Sequence, residues 1–226
     1  MSNFRFLPVC LASLFCLMFL SGMSQQKDAC LWISVNLEKK ITPAWSLLFT
    51  EELRMNENIT EVGEVFSDIG FEYRISKKWK AGLFYRFSNQ RRIDDSYKTK
   101  HRYYADLTYK EKIARFSIIL RGRFQSQYTE INSSEEGHVP SNHLNGKITL
   151  KYNLNKKIKP YLASEFFFRL NKMVYGSFDQ LRVTAGIEYS VNRRNQLDLF
   201  YRINKEYNVK SPETDFICGV SYYFIF

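Results

Sequence analysis

Proton-transfer chemistry in this chain has few places to start. The 226 residues contain three histidines, His101, His138 and His143. Histidine is the side chain best matched to acid–base work near neutral pH. Ser141 with His138 or His143 could form a nucleophile–base pair, and Asp94, Asp95 and His101 a water-activating set. Either would be hydrolytic chemistry on lipid or peptide, which needs a base beside the reacting atom. Neither set has a specific spacing, and loop histidines and serines are usually solvated. No metal-ligand spacing is visible: the histidines share none, and Cys30 and Cys218 are far apart. No cofactor is implied. The larger set of charged side chains is Arg54, Arg74, Arg86, Arg102, Arg121, Arg123, Arg169, Arg182 and Arg202, with Glu52, Asp68, Glu72, Asp106, Glu165, Glu188 and Asp198. Such a set reads as a structural ion network, because enclosed charges must pair.

One kind of element can position these residues. Beyond residue 24 the chain alternates apolar and polar side chains over segments of about ten residues, with no sustained helical period. Ile69, Phe71, Tyr73 and Ile75 alternate with Asp68, Gly70, Glu72 and Arg74. Leu197, Leu199, Tyr201 and Ile203 alternate with Asp198, Phe200, Arg202 and Asn204. A strand sends the two sets to opposite faces. The polar set is dense in Arg with Asp and Glu, which suits an enclosed interior better than a solvated sandwich face. The segments are also longer than typical sandwich strands. Apolar-out, polar-in alternation is the transmembrane barrel pattern, and closure is the only β solution that satisfies every backbone group in lipid.

The sequence thus predicts an all-β fold: an antiparallel up-and-down transmembrane β-barrel with short periplasmic turns and longer outer loops. Counting from Trp45 gives ten strands, over 45–54, 64–75, 80–91, 101–110, 113–128, 143–153, 160–170, 178–190, 197–206 and 215–226. The barrel is therefore assigned to 45–226, and 25–44 to an N-terminal segment. Residues 31–38 (LWISVNLE) alternate as well, and the count rises to roughly eleven or twelve if they join. They could lie beside the last strand, in the lumen, or outside a ten-strand core. A Cys30–Cys218 disulfide requires the first of these arrangements, and two free thiols are equally open.

Residues 1–24 carry one early positive charge, an apolar run from Phe6 to Leu20, and small residues at Gly22 and Ser24. This is a secretory leader pattern with cleavage after Ser24. Aromatics at 16% exclude a disordered chain, and a mean hydropathy of −0.36 with no long apolar run after residue 20 excludes a helical membrane protein. The net charge of +10 is unevenly spread. The predicted short turns carry Lys39, Lys40, Lys77, Lys78, Lys80, Lys110, Lys112, Lys156, Lys157, Lys159, Arg193 and Arg194 against Glu38 and Glu111, whereas the predicted loops are slightly acidic. A basic rim attracts anionic head groups. Nucleic acid is not an expected partner, since these cations sit between strands of an exported chain. Trp45, Trp79, Tyr109, Tyr152, Tyr189 and Phe226 fall at one rim, and Tyr103, Tyr128, Phe168 and Tyr201 nearer the other, as interfacial belts should. The predicted lumen is nearly charge-balanced and further filled by Phe84, Tyr104, Phe167, Phe200 and Tyr223.

Tyr222, Phe224 and Phe226 share one face of the last segment and end the chain on Phe. That ending resembles the assembly signal of bacterial outer-membrane barrels. Residues 45–54 (WSLLFTEELR), 70–75 (GFEYRI), 82–86 (GLFYR), 182–189 (RVTAGIEY) and 197–202 (LDLFYR) are similar to the domain-of-unknown-function 2490 family. The resemblance covers nearly all of the chain after the leader. It implies a small outer-membrane barrel and implies no reaction. The expected location is a Gram-negative outer membrane, and the expected partners are membrane lipid and the barrel-assembly machinery, for a monomer. The expected function is a mostly occluded structural or surface-interaction barrel with a salt-bridged lumen, and not an enzyme. The alternatives are a hydrolase with a rim histidine and a narrow diffusion channel.

Overall fold

Alternation continues through nearly every segment, and each becomes a strand. The computed structural model describes residues 26–92, 94–129, 140–171, 178–209 and 211–226, so the expected leader and His138 lie outside the described residues. The strands are β1 Gln26–Lys40, β2 Trp45–Asn56, β3 Glu61–Arg74, β4 Trp79–Arg91, β5 Tyr97–Ile113, β6 Phe116–Thr129, β7 Ser141–Tyr152, β8 Ile158–Arg169, β9 Phe178–Ser190, β10 Asn195–Glu206 and β11 Glu213–Ile225. Each pairs antiparallel with its sequence neighbours, and a parallel β1–β11 pair closes the barrel.

The count is eleven among the described residues, as expected if residues 31–38 join beside the last strand. The N-terminal segment expected to hold a short piece over 31–38 is a strand of 15 residues. Its register explains why. One edge of β1 pairs with β2 from Leu31↔Met55 to Lys40↔Ser46, and the other pairs with β11 from Gln26↔Glu213 to Glu38↔Ile225. Without β1, the edges of β2 and β11 would be left open. The odd number sends β1 and β11 in the same direction, so β1 starts at the loop rim and β11 ends at the turn rim.

The turn–loop asymmetry is milder than expected. The β2–β3 connection, expected to be long, is only 57–60, and the β4–β5 connection is 92–96. Pairing continues outward to Asn56↔Glu61 and Arg91↔Tyr97 and shortens both. The tight 57–60 turn places Glu57, Asn58 and Ile59 at φ 50°, 56° and 67°. The Asp28 carboxylate of β1 steadies it, accepting from Glu57 N–H (2.9 Å) and Asn58 N–H (2.8 Å).

Burial is inverted relative to a soluble protein. Leu83 (68% exposed), Leu162, Leu199 and Ile187 stand on the outside, whereas Asp68 (6%), Asp198 and Glu165 are buried within. A continuous outer band of this kind far exceeds the apolar patches of soluble monomers. The small apolar core inside, Cys30, Trp32 and Ile217 with Phe200 against them, lies at the β1–β11 seam. Cys30 faces the lumen and Cys218 the outside; both thiols are free, although their strands are neighbours. The disulfide that the seam would have allowed is ruled out by the opposite facing of the two side chains.

Inward aromatics need room, and glycine across the strand pair gives it. Phe200 lies over Gly219, Phe84 over Gly70, and Tyr161 over Gly186, each directly opposite in register. A Cβ on any of the three glycines would collide with the ring, whereas one on outward Gly122 or Gly146 would meet nothing. Gly219→Val should therefore cost about 1–3 kcal/mol by overpacking, and Gly122→Val nothing measurable. Urea midpoints of the refolded barrel check this, and equal midpoints for both variants would contradict the ring placement.

Candidate functional site

The inner face carries the chain's concentrated chemistry, and register decides which charges meet. Asp68 and Arg86 are directly opposite, as are Asp106 and Arg123. Arg86 bonds Asp68 at 2.5 Å, and the Tyr104 hydroxyl donates to the same carboxylate at 2.9 Å. Arg123 donates twice to Asp106, at 2.6 and 2.7 Å. Arg54 bridges Glu52 (2.6 Å) and Glu64 (2.7 Å), and Arg121 reaches Glu165 at 2.5 Å. Nearer the turn rim Lys80 pairs with Glu72 and Lys151 with Glu188, while Asp198 accepts from the Tyr161 hydroxyl at 3.0 Å. Arg74 is exposed at the end of β3, so it belongs to the rim.

Guanidinium groups also lie over rings. Arg86 is 3.5 Å from the Phe66 centroid, Arg123 3.8 Å from Tyr104, and Arg182 4.5 Å from Phe167. Trp32 of β1 collects Arg54 at 3.9 Å, Arg202 at 4.9 Å and Arg182 at 5.9 Å. Ring faces attract cations, most strongly where water is excluded.

A near balance of lumen charges does not mean that every cation is paired. Arg102 donates to Gln127, Arg182 to Asn204 (3.1 Å) and Arg202 to Thr184 (3.0 Å); all three acceptors are neutral. Lys147 has no hydrogen bond or ion pair among the described residues. Register even sets like charges opposite one another, Arg86 with Arg102 and Arg121 with Lys147. The unpaired cations are invisible in composition, because carboxylates counted with the lumen, such as Glu72 and Glu188, pair with lysines nearer the turn rim.

The interior holds two polar cavities. A polar cavity of about 500 Å³ extends from Ser141, Glu206 and Val209 at the loop rim to Asn36 and Thr50. A second of about 230 Å³ lies between Thr108, Asp198 and Tyr223. Arg121 and Lys147 line both.

The hydrolytic candidates do not assemble. His101 points outward from β5, its Nδ1 2.7 Å from the Tyr85 hydroxyl and its ring edge-on to Phe87. Asp95 pairs with Arg91 at 2.6 Å. Asp94 accepts from the Ser96 hydroxyl (2.6 Å) and backbone N–H (3.2 Å), bonds that hold its carboxyl below the ordinary carboxylate range. His143 does face inward, with Nε2 3.3 Å from Asp179 and 3.4 Å from the Arg169 Nε. Ser141 lines the same cavity, and no hydrogen bond joins it to His143 among the described residues. Asp179 escaped the sequence reading because simple alternation turns it outward; a register shift at Phe167/Phe168 leaves it unpaired and lets it face in. Among the described residues no group of three His, Cys, Asp or Glu could hold a metal ion. At the chain's end Phe224 and Phe226 pack edge-to-face at 4.6 Å, Tyr222 bonds Asn195, and Phe226 N–H donates to the Glu38 carbonyl of β1 at 2.8 Å.

Residues 29–214 match the family model described as protein of unknown function, DUF2490. Among solved structures the fold is similar to one described as a bacterial polysaccharide outer membrane secretin, with 9% identity, a TM-score of 0.54, and coverage of 78% of this chain and 63% of that one. It is also similar to the NanC porin, with 10% identity, a TM-score of 0.50, and coverage of 78% and 86% respectively. This chain thus spans less than two thirds of the secretin's length, and at these identities the likeness is one of fold. A search of curated proteins found no match.

The Asp68 knot is the most enclosed ion pair, with side chains 11% and 8% exposed. Asp68→Ala should cost about 3–5 kcal/mol by stranding Arg86, and Arg86→Met in the same chain should restore part of that. Denaturant titration of the two variants checks both; a neutral Asp68→Ala would mean the pair is solvated.

Proposed function

The chain belongs to the DUF2490 family of proteins of unknown function, and we propose that it is a β-barrel of a Gram-negative outer membrane whose lumen is occluded. Its outer band of Leu, Ile, Phe and Tyr supports residence in lipid, and the leader-like residues 1–24 support export. The likeness to an outer-membrane secretin and a porin is consistent with that location. The single observation that carries occlusion is the placement of Arg121 and Lys147 in the lumen, where their side chains line both polar cavities. Arg121 is tied to Glu165 there and does not swing aside without breaking that pair. An open pore lets water and ions pass, whereas a cross-braced one of this width is a packed interior.

The role is binding or surface interaction through the loop rim, without hydrolysis. That reading rests on His101 facing away from the lumen and on His143 being engaged with Asp179 and Arg169. The protein works as a monomer embedded in outer-membrane lipid, and the assembly machinery is its transient partner through Tyr222, Phe224 and Phe226.

Planar-bilayer recordings test occlusion. The wild-type barrel should give no discrete conductance steps, and Arg121→Ser with Lys147→Ser should give steps by joining the two cavities. Steps from the wild type would replace this reading with the narrow diffusion channel.

A further inference from the structure

Five cations in one small cavity, Arg102, Arg182, Arg202, Lys147 and Lys100, form no ion pair among the described residues: Lys100 meets Gln90, and Glu165, directly opposite both Lys147 and Arg182, is bonded to Arg121. All line the polar cavity that reaches the loop rim. The cavity's acids are committed: Glu52 to Arg54, Asp68 to Arg86, Glu165 to Arg121, and Asp179 to Arg169 and His143. Glu206 sits at the mouth and accepts from the Glu213 N–H. Arg182 has Glu165 directly opposite, and is also close enough to Arg202, Arg54 and Arg102 to be repelled by all three. A further donor, the buried Nε of Arg121, has no acceptor.

Uncompensated charge in an enclosed space is costly. Folding keeps it here at neighbouring positions on β5, β7, β9 and β10, where a carboxylate at Gln127, Asn204 or Thr184 would have neutralised it. Arginine offers flat, paired donors that match carboxylate and phosphate oxygens. We infer that this cavity is a binding site for a small oxyanion bearing two or more negative groups, entering from the loop rim and held by Arg102, Arg182, Arg202 and Lys147. A cavity of about 500 Å³ admits a molecule of that size. The inference stands on the lumen's charge and shape, and holds whether or not the barrel conducts.

Trp32 reports on the site directly, since Arg182 and Arg202 lie against its ring. The full chain in nonionic detergent, with Trp45→Phe and Trp79→Phe removing the other two tryptophans, is titrated with citrate, inorganic pyrophosphate or chloride at constant ionic strength. Citrate or pyrophosphate should change Trp32 emission saturably and chloride should not; the tighter of the two identifies carboxylate or phosphate as the preferred group. Arg102→Gln and Arg182→Gln should each weaken the response about tenfold, the worth of one charge-assisted hydrogen bond. Arg115→Gln, on the far rim, should leave it unchanged. Lys147→Met breaks no hydrogen bond and serves if an arginine variant fails to fold; it should weaken binding as well. Responses that track ionic strength alone, or folded Lys147→Met and Arg102→Gln chains that bind as tightly as the parent, would overturn the site. Such a result would leave the membrane location and the conductance test untouched.

Discussion

Closure of the backbone ladder is the constraint on which everything else in this molecule depends. Hydrocarbon offers no hydrogen-bond partner, so a sheet that meets lipid on its outer surface has to end where it began. Ten antiparallel strands from Trp45 onward leave β2 and β11 as edges. The chain resolves this with β1, which pairs on both sides over most of its length. The seam is held at both ends. At the loop rim Asp28 fastens the 57–60 turn, and at the turn rim the Phe226 N–H meets the Glu38 carbonyl. A parallel pair is slightly weaker per residue than an antiparallel one, and the apolar cluster of Cys30, Trp32, Ile217 and Phe200 lies at this junction.

Closure at this strand number leaves a lumen too narrow for water to solvate ten or more charges freely, yet too wide for aliphatic side chains to fill it. Arginine laid over aromatic rings answers both demands. A guanidinium is flat, stacks on a ring, and keeps its edge free for a carboxylate. Arg86 does all of this at once, over Phe66 and bonded to Asp68. Inward glycines let the rings lie down: Gly70 beneath Phe84, which stacks on Tyr104 at 4.8 Å, and Gly219 beneath Phe200. Rings, glycines and ion pairs are therefore one packing scheme.

Much of this was legible in the residue order. Period-two alternation placed Arg86, Arg123, Asp68 and Asp106 on the inner face and Leu83 and Leu199 outside, because a strand's faces are fixed by parity alone. Parity says nothing about who pairs with whom across strands. Opposing Arg86 to Arg102 needs the β4–β5 register, and the commitment of Glu72 to Lys80 needs the height of each along the barrel. Counting charges therefore gave a near balance without showing which cations meet a carboxylate. Residues 31–38 were ambiguous because a strand that pairs in parallel with one 187 residues away leaves no local turn signal beside it. Asp179 was hidden by a break in the very alternation that revealed the rest.

The two features least visible in sequence turn out to be joined. β1 is needed to close the barrel, and β1 also brings Trp32, the ring around which Arg54, Arg182 and Arg202 gather from β2, β9 and β10. Without that face, three guanidiniums from strands on either side of the seam would confront one another, two of them, Arg182 and Arg202, with neutral hydrogen-bond partners only. The ring's quadrupole lowers the cost of their proximity but adds no net negative charge. Closing the seam therefore gathers like charges in a packed interior and leaves them electrostatically unfinished, a state that a bound anion completes and a structural ion network would not require.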